Sequence, residues 1–290
     1  MFGKRTGAIL CPSCGQLTAA QAPACHICGY RRPGSVSALA LFAPLLRPGA
    51  FVRGAIITSI ALYVLALLLD PPAALGGGLG NPLAALSPGQ QALRVLGMTG
   101  AIPCWRDGQW WTLLTATYLH GSVLHLVFNM LWVRQLGPDV ESVYGPARVV
   151  VIYTLAGVAC FLASALWGVV LPVGTPVFFT VGASGAIFGL LGALVAFGRR
   201  RGGVFGRAIL QQYGFWALLM FAFGFLQPGF NVNNVGHAGG FVGGLIAGFL
   251  LAPAERRREG AGVRLAGALC LLASAVALGA SVWVAFVGRW

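Results

Sequence analysis

Two sets of residues in this chain could do chemistry. The first is His125, Asn129, Ser184 and His237, polar side chains set into apolar runs. Ionisable groups inside a membrane are functional by default. A serine hydroxyl is a poor nucleophile until an adjacent base takes its proton. His237 suits that task near neutral pH, with an unperturbed pKa of ~6.5. An oxyanion would then find donors in the Asn129 amide, a His125 ring N–H and the backbone N–H of Ser184 at a helix start. Taken alone, a transmembrane serine more often bonds its own helix backbone. The small residues of Gly182-Ala183-Ser184-Gly185 would equally suit a helix-packing surface. The presence of His237 beside them in the count of polar residues tips the reading towards chemistry. The six acids are Asp70, Asp107, Asp139, Glu141, Glu255 and Glu259. All fall in loops or at helix ends, so a Ser–His dyad is expected rather than a triad.

The second set is Cys11-x-x-Cys14 and Cys25-x-x-Cys28, with Gly15 and Gly29 after each pair. Two such turns offer four thiolates suited to tetrahedral Zn²⁺, with His26 as a substitute ligand. A pair of disulfides is the competing reading, and a reducing compartment disfavours it. Docking of a protein partner, regulation and a purely structural role all stay open for this unit. Cys104, Cys160 and Cys270 read as unpaired small apolar residues.

The elements that must position the first set are membrane helices. Of 290 residues, 58% are apolar and 9% charged, with mean hydropathy +0.82. Soluble domains carry roughly a quarter charged residues. Apolar runs lie at about 54–69, 113–133, 149–170, 183–198, 208–226, 236–252 and 265–287. Each is near the ~20 residues that cross a bilayer, and only helices close their hydrogen bonds within so short a run. No internal repeat supports a transporter. The expected fold is an all-α polytopic bundle of seven transmembrane helices. Before it come a Cys-rich unit over 1–33 and an amphipathic connecting segment over 34–53.

The net charge of +13 is spread in short clusters rather than in one stripe, which argues against nucleic acid as a partner. With the N-terminus inside, Lys4, Arg5, Arg31, Arg32, Arg47, Arg53, Arg134, Arg148, Arg199, Arg200, Arg201, Arg207, Arg256, Arg257, Arg258 and Arg264 are all inner residues. Only Arg94, Arg106 and Arg289 are outer. That bias predicts a cytoplasmic N-terminus and an external C-terminus. Cys and polar residues precede any apolar stretch, so no signal peptide is expected. Trp105, Trp110 and Trp111 suit the headgroup level of the outer face. On this topology His125 and Asn129 lie one turn apart near the outer end of the second run. Ser184 opens the fourth run and His237 the sixth, at a similar depth. Gly236, Gly240, Gly244 and Gly248 recur every four residues and form a bare ridge. Packed on Gly185, Gly189 and Gly192 of the fourth run, that ridge would bring Ser184 and His237 within reach.

Gly182-Ala183-Ser184-Gly185, His125-x-x-x-Asn129 and Gly236-His237-Ala238-Gly239-Gly240 together resemble the signature of rhomboid intramembrane serine proteases, in order and spacing. The resemblance spans about 54–252, the six-helix core of that family. The segment 253–290 then adds a basic loop and a seventh helix, and residues 1–33 resemble a small zinc ribbon. The resemblance implies a Ser184–His237 dyad and an oxyanion hole of His125, Asn129 and the Ser184 amide. It gives Gly182 a supporting place beside the serine and His120 a non-catalytic role in holding the outer loop. Two positions depart from the family. Thr112 follows Trp111 where an Arg is common. Phe188 stands where a Tyr usually packs on the catalytic histidine. The implied activity is an endopeptidase in the plasma membrane, with its active site opening outward. It would cut transmembrane helices of other proteins near their outer ends, with no cofactor for the hydrolysis. An inactive relative that binds transmembrane segments without cutting is the alternative. A channel would need a polar path, and the inner halves of these runs are nearly free of polar side chains.

Overall fold

The computed structural model describes residues 7–11, 14–27, 29–34, 42–72, 86–170, 179–226, 232–251, 253–254 and 259–287. Of the residues singled out above, Cys28, Lys4, Arg5, Glu255, Arg256 to Arg258 and Arg289 lie outside them.

The Cys-rich unit begins with an antiparallel hairpin of β1 (Ala8–Leu10) and β2 (Leu17–Ala19), with Ile9 opposite Thr18. Its two Cys turns are built alike. Gly15 N–H donates to the Cys11 carbonyl at 2.9 Å and Gly29 N–H to the Cys25 carbonyl at 2.8 Å. Cys11 N–H then reaches Gln16 O and Cys25 N–H reaches Tyr30 O, each at 2.8 Å. The unit meets the helical part where the Arg264 guanidinium lies 4.9 Å from the centre of the Tyr30 ring.

The helices that follow are α1 (Ala50–Leu69), α2 (Gln90–Val95), α3 (Thr112–Thr115), α4 (Val123–Tyr144), α5 (Pro146–Val170), α6 (Ser184–Arg201), α7 (Gly203–Leu226), α8 (Asn234–Leu250) and α9 (Ala261–Val287). A wide turn at Ile102–Arg106 and a tight one at Ala116–Tyr118 complete the segment before α4. One expectation fails here. The second apolar run, read as a single helix over about 113–133, is divided. Leu119 is extended (φ −94°, ψ 150°), and α4 starts afresh at Val123 and continues to Tyr144. Ser122 makes the new start by accepting the His125 N–H at 3.2 Å, which satisfies a donor that a helix start leaves open. Hydropathy is blind to this break because apolar residues flank it on both sides.

Among the described residues four helices, α1, α5, α7 and α9, are long and apolar enough to cross a membrane. The other three of the seven expected runs are helical but are shorter or carry charged residues. α4 contains Arg134, Asp139 and Glu141, α6 ends in Arg199 to Arg201, and α8 has only 17 residues. These are the helices that carry Asn129, Ser184 and His237, and of the three α6 is the one enclosed by protein. On α6 every residue from Gly185 to Leu194 is buried. α5 is the central helix, packed on α6, α8 and α9, with 67% of its apolar window buried against 17% for α7.

The tightest pairing is α6 with α8. A Cβ at Gly240 would collide with the Gly185 carbonyl oxygen, and one at Gly244 with the Gly189 backbone. The expected ridge is therefore real at these positions. Gly236 departs from it and faces Ser164 and Cys160 on α5. Gly239 and Gly243 form a second bare edge against Ala159 and Ala163 of α5, which the four-residue spacing did not reveal. We expect Gly244→Ala to lower stability by about 1–3 kcal/mol through overpacking. Gly214→Ala on α7, where a Cβ would meet nothing within 4 Å, is the matched control. Denaturation midpoints in one detergent decide this, and equal midpoints for the two variants would mean that α6 and α8 are not in backbone contact.

Candidate active site

Ser184 is the first residue of α6, and His237 lies in the first turn of α8. With the backbones of the two helices in contact, Ser184 Oγ and His237 Nε2 come to 2.8 Å. Ser184 is partly accessible, whereas His237 is only 8% exposed. The far ring nitrogen of His237, Nδ1, is buried and has no hydrogen-bond partner among the described residues. Asp139 accepts a hydrogen bond from Tyr213, Glu141 from the Gly49 N–H and Glu259 from the Arg148 N–H, each of them from a group other than His237. The ring is instead held by stacking. Phe188, one turn beyond Ser184, lies parallel to it with centroids 4.5 Å apart and planes at 23°. Phe221 of α7 closes the site from another side, 4.5 Å from Phe188 and 6.5 Å edge-on from His237.

The remaining polar residues gather around the start of α6. Gly182 has φ +128°, a conformation that favours glycine. A Cβ there would lie 2.6 Å from His125 Nε2 and 3.7 Å from Ser184 Oγ. The His125 ring thus faces the space beside the serine hydroxyl, and Gly182 leaves that space open. Asn129 is buried and donates from Nδ2 to the His125 carbonyl at 2.7 Å. That uses one amide hydrogen and leaves the second. His120 is fully buried, 5.1 Å ring to ring from His125, with its Nε2 3.5 Å from the Ala183 N–H. It stands behind the turn that presents Ser184. Thr112, at the position of the first family departure, donates its hydroxyl to Gln109 O at 2.6 Å and sits 2.9 Å from Thr99 Oγ1.

A model of the rhomboid domain matches residues 107–254, a span containing all four of these polar residues. The chain belongs to the rhomboid family. Among relatives, it is 39% identical over 173 residues to the rhomboid protease GluP of Bacillus subtilis, covering 59% of this chain and 31% of that protein. RHOMBOID-like protein 7 of Arabidopsis thaliana is 34% identical over 174 residues, 59% of this chain and 51% of its own length. YdcA of Bacillus subtilis is 30% identical over 155 residues, 52% of this chain and 72% of its own. The chain therefore spans about a third to a half of the first two. Membership accounts for the helical, multi-pass membrane fold of the rhomboid core. The Cys-rich unit lies outside the matched residues.

In that unit Cys11, Cys14 and Cys25 place their sulfurs within 4.8 Å of one another, with Cys14 and Cys25 at 3.9 Å. A tetrahedron with Zn–S bonds of ~2.3 Å has edges of about 3.8 Å. The three thiols are thus clustered closely enough to hold a metal ion, and Cys28, the fourth by sequence, lies outside the described residues.

Other residues around the site escaped the sequence reading. Phe221 is an ordinary apolar residue of a lipid-facing helix until the fold sets its ring against Phe188 and edge-on to the histidine. Asn233, which caps α8, sits four residues before His237 as an Asn preceding an apolar run. That was a usable cap signal.

Proposed function

We propose that this rhomboid is an intramembrane serine endopeptidase that uses Ser184 and His237. The observation that carries the reading is the 2.8 Å approach of Ser184 Oγ to His237 Nε2 at the heads of two helices in backbone contact. Ser184 Oγ attacks the carbonyl carbon of the scissile peptide bond while its proton passes to His237 Nε2. The tetrahedral oxyanion forms beside Gly182, within reach of the His125 ring, the second Asn129 amide hydrogen and the Ser184 N–H. The C–N bond then breaks as His237 hands its proton to the leaving amine. A water molecule, deprotonated by His237, cleaves the acyl ester and regenerates the serine. The names of GluP and other relatives as rhomboid proteases support this assignment.

The substrate we infer is a transmembrane segment of another protein. A helix must locally unwind to expose its carbonyls, so helix-weakening Gly or Pro near the cut should favour it. The arginine bias argues for a cytoplasmic N-terminus in the plasma membrane, with the site opening outward. We also assign Zn²⁺ to Cys11, Cys14, Cys25 and Cys28. Thiolates in that number would form a closed structural site, separate from the hydrolysis, and such a site could present the unit to a protein partner.

Purified protein in mild detergent should be labelled by a fluorophosphonate, and the Ser184→Ala and His237→Ala variants should not. Asn129→Ala is expected to keep labelling but to cleave a transmembrane substrate about 10²-fold more slowly, as for loss of one oxyanion donor. A folded wild type that resists the probe would favour a protein that binds transmembrane segments without cutting them.

For the metal, elemental analysis should find one zinc per chain in the wild type and none in a Cys11→Ser, Cys14→Ser double variant. A metal-free wild type isolated without chelators would remove the assignment.

A further inference from the structure

In a Ser–His–Asp triad the acid orients the imidazole. Here His237 Nδ1 has no hydrogen-bond partner among the described residues. The ring's placement must therefore come from Phe188 stacking and from where the backbone of α8 begins. That beginning is governed by Asn233. Its backbone carbonyl accepts the His237 N–H at 3.0 Å, and its Oδ1 accepts the Gly236 N–H at 2.9 Å. Its Nδ2 donates to Ser164 Oγ at 2.6 Å and to Thr180 Oγ1 at 3.2 Å.

The two Nδ2 contacts reach different parts of the site. Ser164 is fully buried on α5, and its own hydroxyl hydrogen goes to Cys160 O at 3.0 Å. It is thus committed as an acceptor towards Asn233. Thr180 stands four residues before Ser184, and its backbone is paired both ways with Thr99, at 2.7 and 3.2 Å. One side chain therefore ties the start of the histidine helix to the central helix and to the segment that delivers the nucleophile. A simple helix cap would need only Oδ1.

We propose that Asn233 is a positioning residue for His237, setting the imidazole's distance from Ser184 by anchoring the first turn of α8 sideways to Ser164 and Thr180. The inference rests on the dyad reading above. Two variants separate it from capping. Asn233→Asp keeps the cap acceptor and loses both donors, whereas Ser164→Ala removes the α5 anchor and leaves the cap untouched.

The test measures, per folded molecule, the fluorophosphonate labelling rate together with kcat and KM on a transmembrane substrate, and the melting temperature alongside. Both variants are expected to lose about 10–100-fold in labelling rate and kcat, as misplacement of a reacting group by an ångström does. KM should stay within about twofold, since no substrate contact is removed. The double variant should be no slower than the slower single one, because both changes break one linkage. A merely structural role would lower the melting temperature and leave the rates per folded molecule at the wild-type value, which would overturn the proposal. Should Asn233→Asp fail to fold, Ser164→Ala decides alone. Wild-type protein that is not labelled would sink the dyad reading and this one with it, whereas labelled wild type with equally fast variants sinks the positioning role only.

Discussion

Everything at the site depends on how closely the backbones of α6 and α8 approach. A serine side chain is too short to search for its partner, so the Ser184–His237 distance is the helix spacing read at one end. Gly185 and Gly189 against Gly240 and Gly244 set that spacing by backbone contact, which yields far less than side-chain packing does. The same two helices are tied again at the far end. Tyr144 donates its single hydroxyl hydrogen between Ala193 O of α6 and Gly248 O of α8, at 2.9 and 3.2 Å. Arg200 of α6 reaches the Phe249 carbonyl at 2.7 Å, supplying a donor and a positive charge where α8 leaves carbonyls open. Fixed at both ends and along the seam, the pair cannot drift apart by rotation of either helix.

The membrane makes this arrangement costly and therefore legible. Polar residues are rare enough in a chain of this composition that His125, Asn129, Ser184 and His237 stand out one by one, and a spacing of four glycines announces a helix contact without naming the partner. The seven apolar runs were readable for the same reason. What could not be read has two physical causes. Some signals are local geometry without hydropathic trace, such as the break at Leu119 and the new start capped by Ser122 inside what looks like one run. Others exist only once helices are packed. Phe221 is indistinguishable in sequence from any lipid-facing phenylalanine. Gly239 and Gly243 serve a different neighbour from Gly240 and Gly244, a division that periodicity along one helix cannot express. The Cys-rich unit shows the limit from the other side. Spacing alone proposed four thiolates, and the fold gathers the three that are described.

Among the helices that carry the site, α6 is the one enclosed by protein, and the placing of the polar groups follows from desolvation. A histidine or asparagine facing hydrocarbon would cost several kcal/mol, so Asn129 and His237 lie on the buried faces of α4 and α8, with α5 as the common support of α6 and α8. α1, α7 and α9 face outward and supply the apolar surface.

α7 differs from the other lipid-facing helices in where it stands. It leans chiefly on α6 and buries only Gly206 and Ala217. Its links to α4 are an edge-on pair of Trp132 and Trp216, centroids 5.3 Å apart, and a hydrogen bond from Tyr213 to Asp139 at 3.0 Å. Such a ring pair is worth about 0.5–1.5 kcal/mol beyond its burial and such a hydrogen bond about 1–3. Yet its Phe221 ring lies over Phe188 and near His237. For the proposed hydrolysis, a transmembrane segment must reach Ser184 from the lipid. Moving α7 breaks these links and its packing on α6, which is closest at Gly198 and Gly206, whereas moving α6 or α8 would open their shared glycine seam and separate the reacting pair. The fold thus sets the least buried of its membrane-length helices beside the site and the tightly paired α6 and α8 beneath it, so that access and alignment make demands on different parts of the molecule.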